Sequence, residues 1–268
     1  MKKYLSLILA LVLAMALVPS AVSAARIGDV IGYAQPTDIV ATINGYQIES
    51  YNVNGYTYIC VEDLRYYGFD VYYDNYTRSL SFNRNYGITN MTPQFDNPDF
   101  WSIGRNSVRR PILYTDIVTY ANGSYVAASN INGRTIINFN SLSQFGTVSY
   151  DNNRREISLR LDGLNYNEIA DLAAQIEPEW QKGQGGAWNT RIRALGNILV
   201  IKNVSTNINS LSTVSNLSTF QNRVKSGDLY QDRKEVLDGL RDVGYNIDSL
   251  FEEYYTKNGE HVVSVQVY

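Results

Sequence analysis

"NGYTYICVEDLRYYGFDVYYDN", residues 54–75, has a worn counterpart further along the chain in "NGRTIINFNSLSQFGTVSYDN", residues 132–152. The correspondence extends outward on both sides. Thr37-Asp38-Ile39-Val40 recurs as Thr115-Asp116-Ile117-Val118, Asn44-Gly45 as Asn122-Gly123, Leu64 as Leu142 and Gly68 as Gly146, each pair 78 residues apart. Past the glycine one residue is lost and the offset becomes 77: Val71 matches Val148, Tyr73-Asp74-Asn75 matches Tyr150-Asp151-Asn152, and Arg78 matches Arg155. Identity kept in this order over a whole unit is the mark of an internal duplication.

The matching positions are those that chain geometry would protect. Asn-Gly between β-rich runs is a strong hairpin signal, because a type I′ turn needs positive φ at both central residues. Each unit therefore reads strand, Asn-Gly, strand, Asn-Gly, strand; in the first unit these are Ile39–Ile43, Tyr46–Val53 and Tyr56–Cys60. A short helical stretch follows, with Val61, Leu64 and Tyr67 on one face and Gly68 suited to end it. Then come Phe69–Tyr73, a turn at Asp74–Thr77, and Arg78–Phe82. A unit of about 45 residues buries little apolar surface by itself, so the two copies are expected to pack on each other or on their neighbours.

The run of strand, Asn-Gly, strand, "NGYTYI", a Leu-containing short helix closed by Gly, then "VYYDN" and a last strand resembles the copper amine oxidase N-terminal-like (stalk) domain. The resemblance covers two tandem copies over residues 36–160. Where members of that family carry Pro-Leu-Arg, the segment here is Cys60-Val61-Glu62-Asp63-Leu64-Arg65, without the Pro. The resemblance implies an accessory module with an antiparallel sheet curled around a helix, found mostly in exported bacterial proteins. It does not imply amine oxidation. That reaction belongs to a separate domain with three His ligands and a cofactor made from Tyr in an Asn-Tyr-(Asp/Glu) context; this chain has one His and only "NYT", "NYG" and "NYN".

The first residues, "MKKYLSLILALVLAMALVPSAVSAA", have the layout of a secretory signal peptide, with cleavage expected after Ala24. The apolar run from Tyr4 to Val18 is short for a membrane span. Losing Lys2 and Lys3 takes the formal net charge from −3 to −5, which gives no electrostatic reason to bind nucleic acid. Cys60 is the only cysteine, so no intramolecular disulfide forms, and its apolar setting reads as a buried structural thiol. A single histidine, His261, excludes a multi-histidine metal site within the chain.

Between the copies, residues 84–111 are rich in Asn, Pro and Gly and carry Phe100 and Trp101, which suit either a cap on a hydrophobic edge or a ligand platform. After Leu161 the pattern shifts to helical spacing. Ile169, Leu172, Ala173 and Ile176 share a face, with Asn165 as N-cap and Pro178 as the stop. "NILVIKNV" and the closing "EHVVSVQV" read as strands. Residues 205–225, 231–243 and 247–256 read as helices. The expected organisation is a signal peptide over 1–24, stalk-like repeats over 25–85 and 112–160 with a linker at 86–111, and an α+β domain over 161–268. In fold class this is α+β: two β-β-β-α-β-β antiparallel units followed by a small helix-rich α+β domain.

Motifs for chemistry are few. There is no Gly-x-Ser-x-Gly elbow, P-loop or dinucleotide glycine fingerprint. Glu177 and Glu179 flank Pro178, and Glu252-Glu253 reads as a charged helix face; neighbours in sequence do not make a facing glycosidase pair. "DNYT" and "DNNR" lack Ca²⁺-loop spacing and read as turns. The conspicuous residue is Tyr, with Tyr56 and Tyr58 on one face of a strand opposite Thr57 and Ile59. The leading expectation is a non-catalytic exported protein, secreted or at the cell surface, acting as spacer or interaction unit without cofactor or metal. The alternative is binding of cell-wall or extracellular polysaccharide, or of another surface protein, through Tyr56, Tyr58 and Trp101. A third possibility is a hydrolase seated in the last hundred residues with Glu177, Glu179 or Glu252 as acid.

Overall fold

The computed structural model describes residues 25–35, 37–91, 109–213 and 215–268. Over the described residues the fold is a strand-rich mixed α+β arrangement of four sheets. The first half contributes β1 (Val30–Ala34), β2 (Val40–Ile43), β3 (Tyr46–Ile48), β4 (Ser50–Val53), β5 (Tyr56–Cys60), β6 (Phe69–Asp74) and β7 (Ser79–Arg84). It is followed by β8 (Arg110–Leu113), β9 (Val118–Ala121), β10 (Ser124–Val126), β11 (Ala128–Ile131), β12 (Arg134–Asn138), β13 (Gly146–Asp151) and β14 (Glu156–Leu161). A six-residue 3-10 helix, Val61–Tyr66 or Phe139–Gln144, stands where each short helix was expected. Six residues form too little helix to persist alone, and Val61, Leu64, Phe139 and Leu142, all fully buried, pin both helices to the sheets.

All four Asn-Gly pairs carry the positive φ of type I′ turns: 46° and 79° at Asn44-Gly45, 52° and 85° at Asn54-Gly55, 47° and 78° at Asn122-Gly123, 51° and 80° at Asn132-Gly133. The expected long strand from Tyr46 to Val53 is broken at Glu49 into β3 and β4, which join different sheets. The break lets the chain turn a corner. β3 follows β2 in the sheet β13-β14-β2-β3, and β4 edges the six-stranded sheet β1-β8-β11-β12-β5-β4.

The two regions exchange their ends. β14 runs parallel to β2, with Glu156 opposite Val40, and β7 runs parallel to β9, with Ser79 opposite Val118. Between these crossings β5 and β12 pair antiparallel about Ile59 and Ile137, residues 78 apart in sequence. One hydrophobic core results, containing Ile59, Leu64, Phe69 and Phe82 from one region and Ile137, Phe139, Leu142 and Leu159 from the other. The opposite face of the six-stranded sheet is also buried: its own Ala34, Tyr51, Cys60, Ile112, Ile131 and Ile136 form a second cluster, as the edge strands β1 and β4 approach each other with Gln35 bridged to Asn52. Burial pushes the Cys60 thiol well above its ordinary value, which keeps it protonated and inert.

The remainder consists of α1 (Glu168–Gly183), β15 (Trp188–Leu195), β16 (Ile198–Ser205), α2 (Leu217–Ser226), α3 (Asp228–Asp242), β17 (Ser249–Tyr255) and β18 (His261–Val267). Ile169, Leu172 and Ala173 of α1 and Leu237 of α3 pack on Ile192, Ala194, Leu199, Ile201 and Leu250 of the sheet β15-β16-β17-β18. Several sequence expectations are corrected here. Residues 249–255 form a strand parallel to β16, and Glu252 and Glu253 are buried rather than on an exposed helix face. "SLFEEYY" has no helical stripe; it is buried on both faces, and its place in the sheet decides its form. The helix expected from Ser205 begins only at Leu217, because the Ser205 Oγ accepts from the Asn207 and Ile208 N–H groups and holds the chain in a turn. α1 is capped by Asn167 and runs through the exposed Pro178, since Ile176 and Trp180 on either side of it pack on the same core. β15, in "WNTRIRAL", was not anticipated.

Candidate functional site

An open groove of about 680 Å³ lies between the β4–β5 hairpin and the β13–β14 hairpin. Its position follows from the strand exchange, which brings the second region's last hairpin beside the first region's second Asn-Gly turn. Asn52, Tyr56 and Thr57 line one side; Asn140, Ser149, Tyr150, Asn152 and Arg155 line the other, over a floor of Ile39, Val148 and Ile157. Tyr56 is 58% exposed and Tyr150 47% exposed. Hydroxyl, amide and guanidinium groups thus surround an apolar floor, with two aromatic rings at the margin.

Local bonds hold these groups in place. The Asn52 Oδ1 accepts from the Gly55 N–H at 3.0 Å, which rigidifies the turn before Tyr56. Arg155 donates to the Tyr150 hydroxyl at 2.8 Å and makes a two-pronged pair with Asp38 at 3.0 and 2.8 Å. The arginine hydrogen bond holds the Asp38 carboxyl below its usual range. The Asp151 carboxylate accepts from the Asn153 and Arg154 N–H groups, as Asp74 does from Tyr76 and Thr77, so both "DN" segments are turns closed by their own carboxylates.

The residues singled out in the sequence fall in different places. Tyr56 lines the groove. Tyr58 shares its strand face, and Ile59 does point into the core, but that second face is itself covered: Tyr58 is only half-exposed and packs on the Cys60 cluster. Alternation predicts sides, and a sheet with cores on both sides defeats the inference from side to exposure. Trp101 lies outside the described residues. Tyr150, the residue that completes the groove, was visible in the sequence only as a repeat position; pairing of β14 with β2 is what brings it near Tyr56.

The carboxylates are engaged elsewhere. Glu177 is buried and accepts from the Ile192 N–H at 2.7 Å and from Arg193 at 2.9 Å. Glu252 is buried, with Arg233 donating at 2.7 Å and Asn203 at 2.8 Å. Glu179 is exposed and pairs with Lys182. A second cavity, about 450 Å³, is lined by Glu49, Glu62 and Asp63 with Arg65, Arg110 and Arg134. Arg134 bridges Glu49 and Asp63 there, and Glu62 accepts from the Thr135 N–H. His261 starts β18, exposed, with its ring 5.4 Å from that of Tyr255. Among the described residues no group of three or more His, Cys, Asp or Glu is arranged to hold a metal, and no helix is long and apolar enough to cross a membrane.

Comparison with protein-family profiles, with curated proteins and with solved structures returned no match to this chain.

Proposed function

We propose that this chain is an exported, non-catalytic interaction protein, built from two stalk-type β-β-β-α-β-β units and a following α+β domain, and that the Tyr56–Tyr150 groove holds a cell-wall or extracellular glycan. The observation that carries the reading is the meeting, in one 680 Å³ groove, of two exposed tyrosines from different regions with Asn52, Asn140, Asn152 and Arg155. Pyranose rings present an apolar face and an equatorial belt of hydroxyls. Tyrosine rings take the first, and amides and guanidinium the second. The strand exchange supports a rigid site, because both walls belong to elements fixed in the shared core. The signal-like N-terminus and the resemblance to stalk modules supply the extracellular setting.

Co-sedimentation with purified cell walls and insoluble polysaccharides tests this. The wild-type chain is expected to pellet with at least one polymer. Tyr56→Ala/Tyr150→Ala is expected to bind about tenfold more weakly, since losing aromatic contacts of this kind costs about 1.4 kcal/mol. Equal pelleting of wild type and double variant would remove the groove from the account, and failure of wild type to pellet with any polymer would leave only the spacer role.

A further inference from the structure

On the far side of the Asp38–Arg155 pair lies a separate cavity of about 260 Å³, between the β13–β14 turn and the outer face of β15–β16. Arg154 comes from the turn; Arg191 and Arg193 come from β15, and Lys202 stands opposite Arg191 on β16. The lining contains one acid, Asp38, which already holds Arg155 with both oxygens.

The arginines crowd together more tightly than their partners can balance. Glu177 receives Arg193 at 2.9 Å and Arg191 at 3.3 Å, and Arg154 stands 3.7 Å from it. Glu156 takes Arg154 at 3.4 Å and stands 3.8 Å from Arg193. Four arginines (Arg154, Arg155, Arg191 and Arg193) thus share three carboxylates (Asp38, Glu156 and Glu177), a local surplus of one positive charge in a chain whose net charge is −3. Arg193 is 4% exposed, and its Nε and the Arg154 Nη1 are buried without a hydrogen-bond acceptor among the described residues. Burial, and after it the neighbouring Arg154, pull the Arg193 guanidinium below its ordinary value. Buried guanidinium groups short of acceptors are costly, and a multivalent anion relieves both the charge and the donors.

We propose that this cavity binds an oxyanion group, a phosphate or sulfate, against Arg154 and Arg191, with Arg193 fixing the floor. The space accommodates one such group with several waters, each of which needs about 30 Å³. The planar fork of Arg191, 43% exposed at its side chain and with one bond to Glu177, is the group best placed to swing onto a ligand. The same chemistry serves a free ion or an anionic substituent of a polymer, because Arg155 lines the groove while its partner Asp38 lines this cavity. The proposal stands whether or not the groove takes a glycan.

The test uses the chain purified from an export-competent host. Thermal melts with inorganic phosphate or sulfate are compared with chloride at equal ionic strength, and pelleting with a sulfated polysaccharide is compared with its neutral parent. Expected is a saturable rise in Tm with phosphate or sulfate, or selective pelleting with the sulfated polymer. The first assigns a free ion and the second a polymer substituent. Either effect falls at least tenfold in affinity in Arg191→Ala and persists in Lys257→Ala, which removes an exposed lysine elsewhere. A wild-type response no larger than with chloride, joined to equal pelleting of both polymers, overturns the proposal. So does full retention of the effect in Arg191→Ala.

Discussion

Asn44-Gly45 and Asn122-Gly123 turn the chain in the same way, with φ angles that agree within about a degree, yet their surroundings differ. Asn44 is 2% exposed; its Nδ2 donates to the Leu161 and Leu164 carbonyls at 3.0 and 3.2 Å, and its Oδ1 accepts from the Leu161 N–H at 2.6 Å. Its carbonyl accepts from Asn167, the cap of α1, whose own side chain reaches back to Gly45 and across to Gly196. A Cβ on Gly45 would come within 2.9 Å of Ala170 and 3.1 Å of the Tyr166 ring; one on Gly123 would meet nothing within 4 Å, and Asn122 is exposed. The sequence signal sets the turn in both places. The docked C-terminal region, seated through Val40, Leu195 and Val200, sets how much depends on it in one of them.

The largest effect expected from breaking this near-symmetry comes from the part that the two regions share. Leu64 and Leu142 each sit at 0% exposure in the common core, 78 residues apart. Leu64→Ala and Leu142→Ala should each cost about 2–5 kcal/mol. Denaturant melts should show both variants lowering one cooperative transition that spans residues of both regions. Two transitions, with only one moved by each variant, would mean that the exchanged strands do not tie the regions together.

Much of the local structure was legible in the sequence, and the reason is specific. Asn-Gly turns, the closing Asp-Asn turns and the strands between them are fixed by backbone sterics and by side chains bonding to their own neighbours, which leave a trace at fixed spacing. Gly68 was readable as a helix stop and has φ of +84°; Gly146, its counterpart, is needed because a Cβ would fall 2.1 Å from the Arg160 carbonyl oxygen, which no local pattern reveals. The exchange of hairpins and the breadth of the core on both faces of β5 depend on pairings 39, 78 and 116 residues apart in sequence. The groove was therefore half visible, through Tyr56, and half hidden, through Tyr150. In the C-terminal region β17 was misread because a strand buried on both faces carries no periodicity.

The comparison of the two asparagines can itself be sharpened. Asn44→Ala places a Cβ-bearing residue without a bonding side chain at positive φ, and leaves the Leu161 N–H and two carbonyls without their partner; about 3 kcal/mol or more is expected. Asn122→Ala incurs the conformational term alone, about 1 kcal/mol. Urea melts of the two variants beside Asn44→Gly and Asn122→Gly separate the terms. The glycine variants relieve the backbone cost at both sites and restore stability at position 122 only. Equal losses in Asn44→Ala and Asn122→Ala would mean that docking of the C-terminal region adds nothing at that turn.

The smallest expected effect concerns the paired ion bridges, Asp38–Arg155 and Asp116–Arg78, which are related by the same offsets. Both carboxyls lie below their ordinary value, chiefly through the hydrogen bond from the arginine side chain, and Arg191 of the C-terminal region adds to the lowering at Asp38 only. A carboxyl lowered by folding adds stability that is complete above its unfolded pKa of about 3.9 and is lost as pH falls through the folded value. Solvent screening keeps the Asp38 contribution under about 1 kcal/mol. Asp38→Asn should therefore lower Tm slightly at pH 7, with Asp116→Asn lowering it less. Both differences should shrink toward zero as melts are taken down to about pH 3. A difference that stays constant with pH would assign the loss to packing around residue 38 rather than to its charge, and the asymmetry between the two bridges would then owe nothing to Arg191.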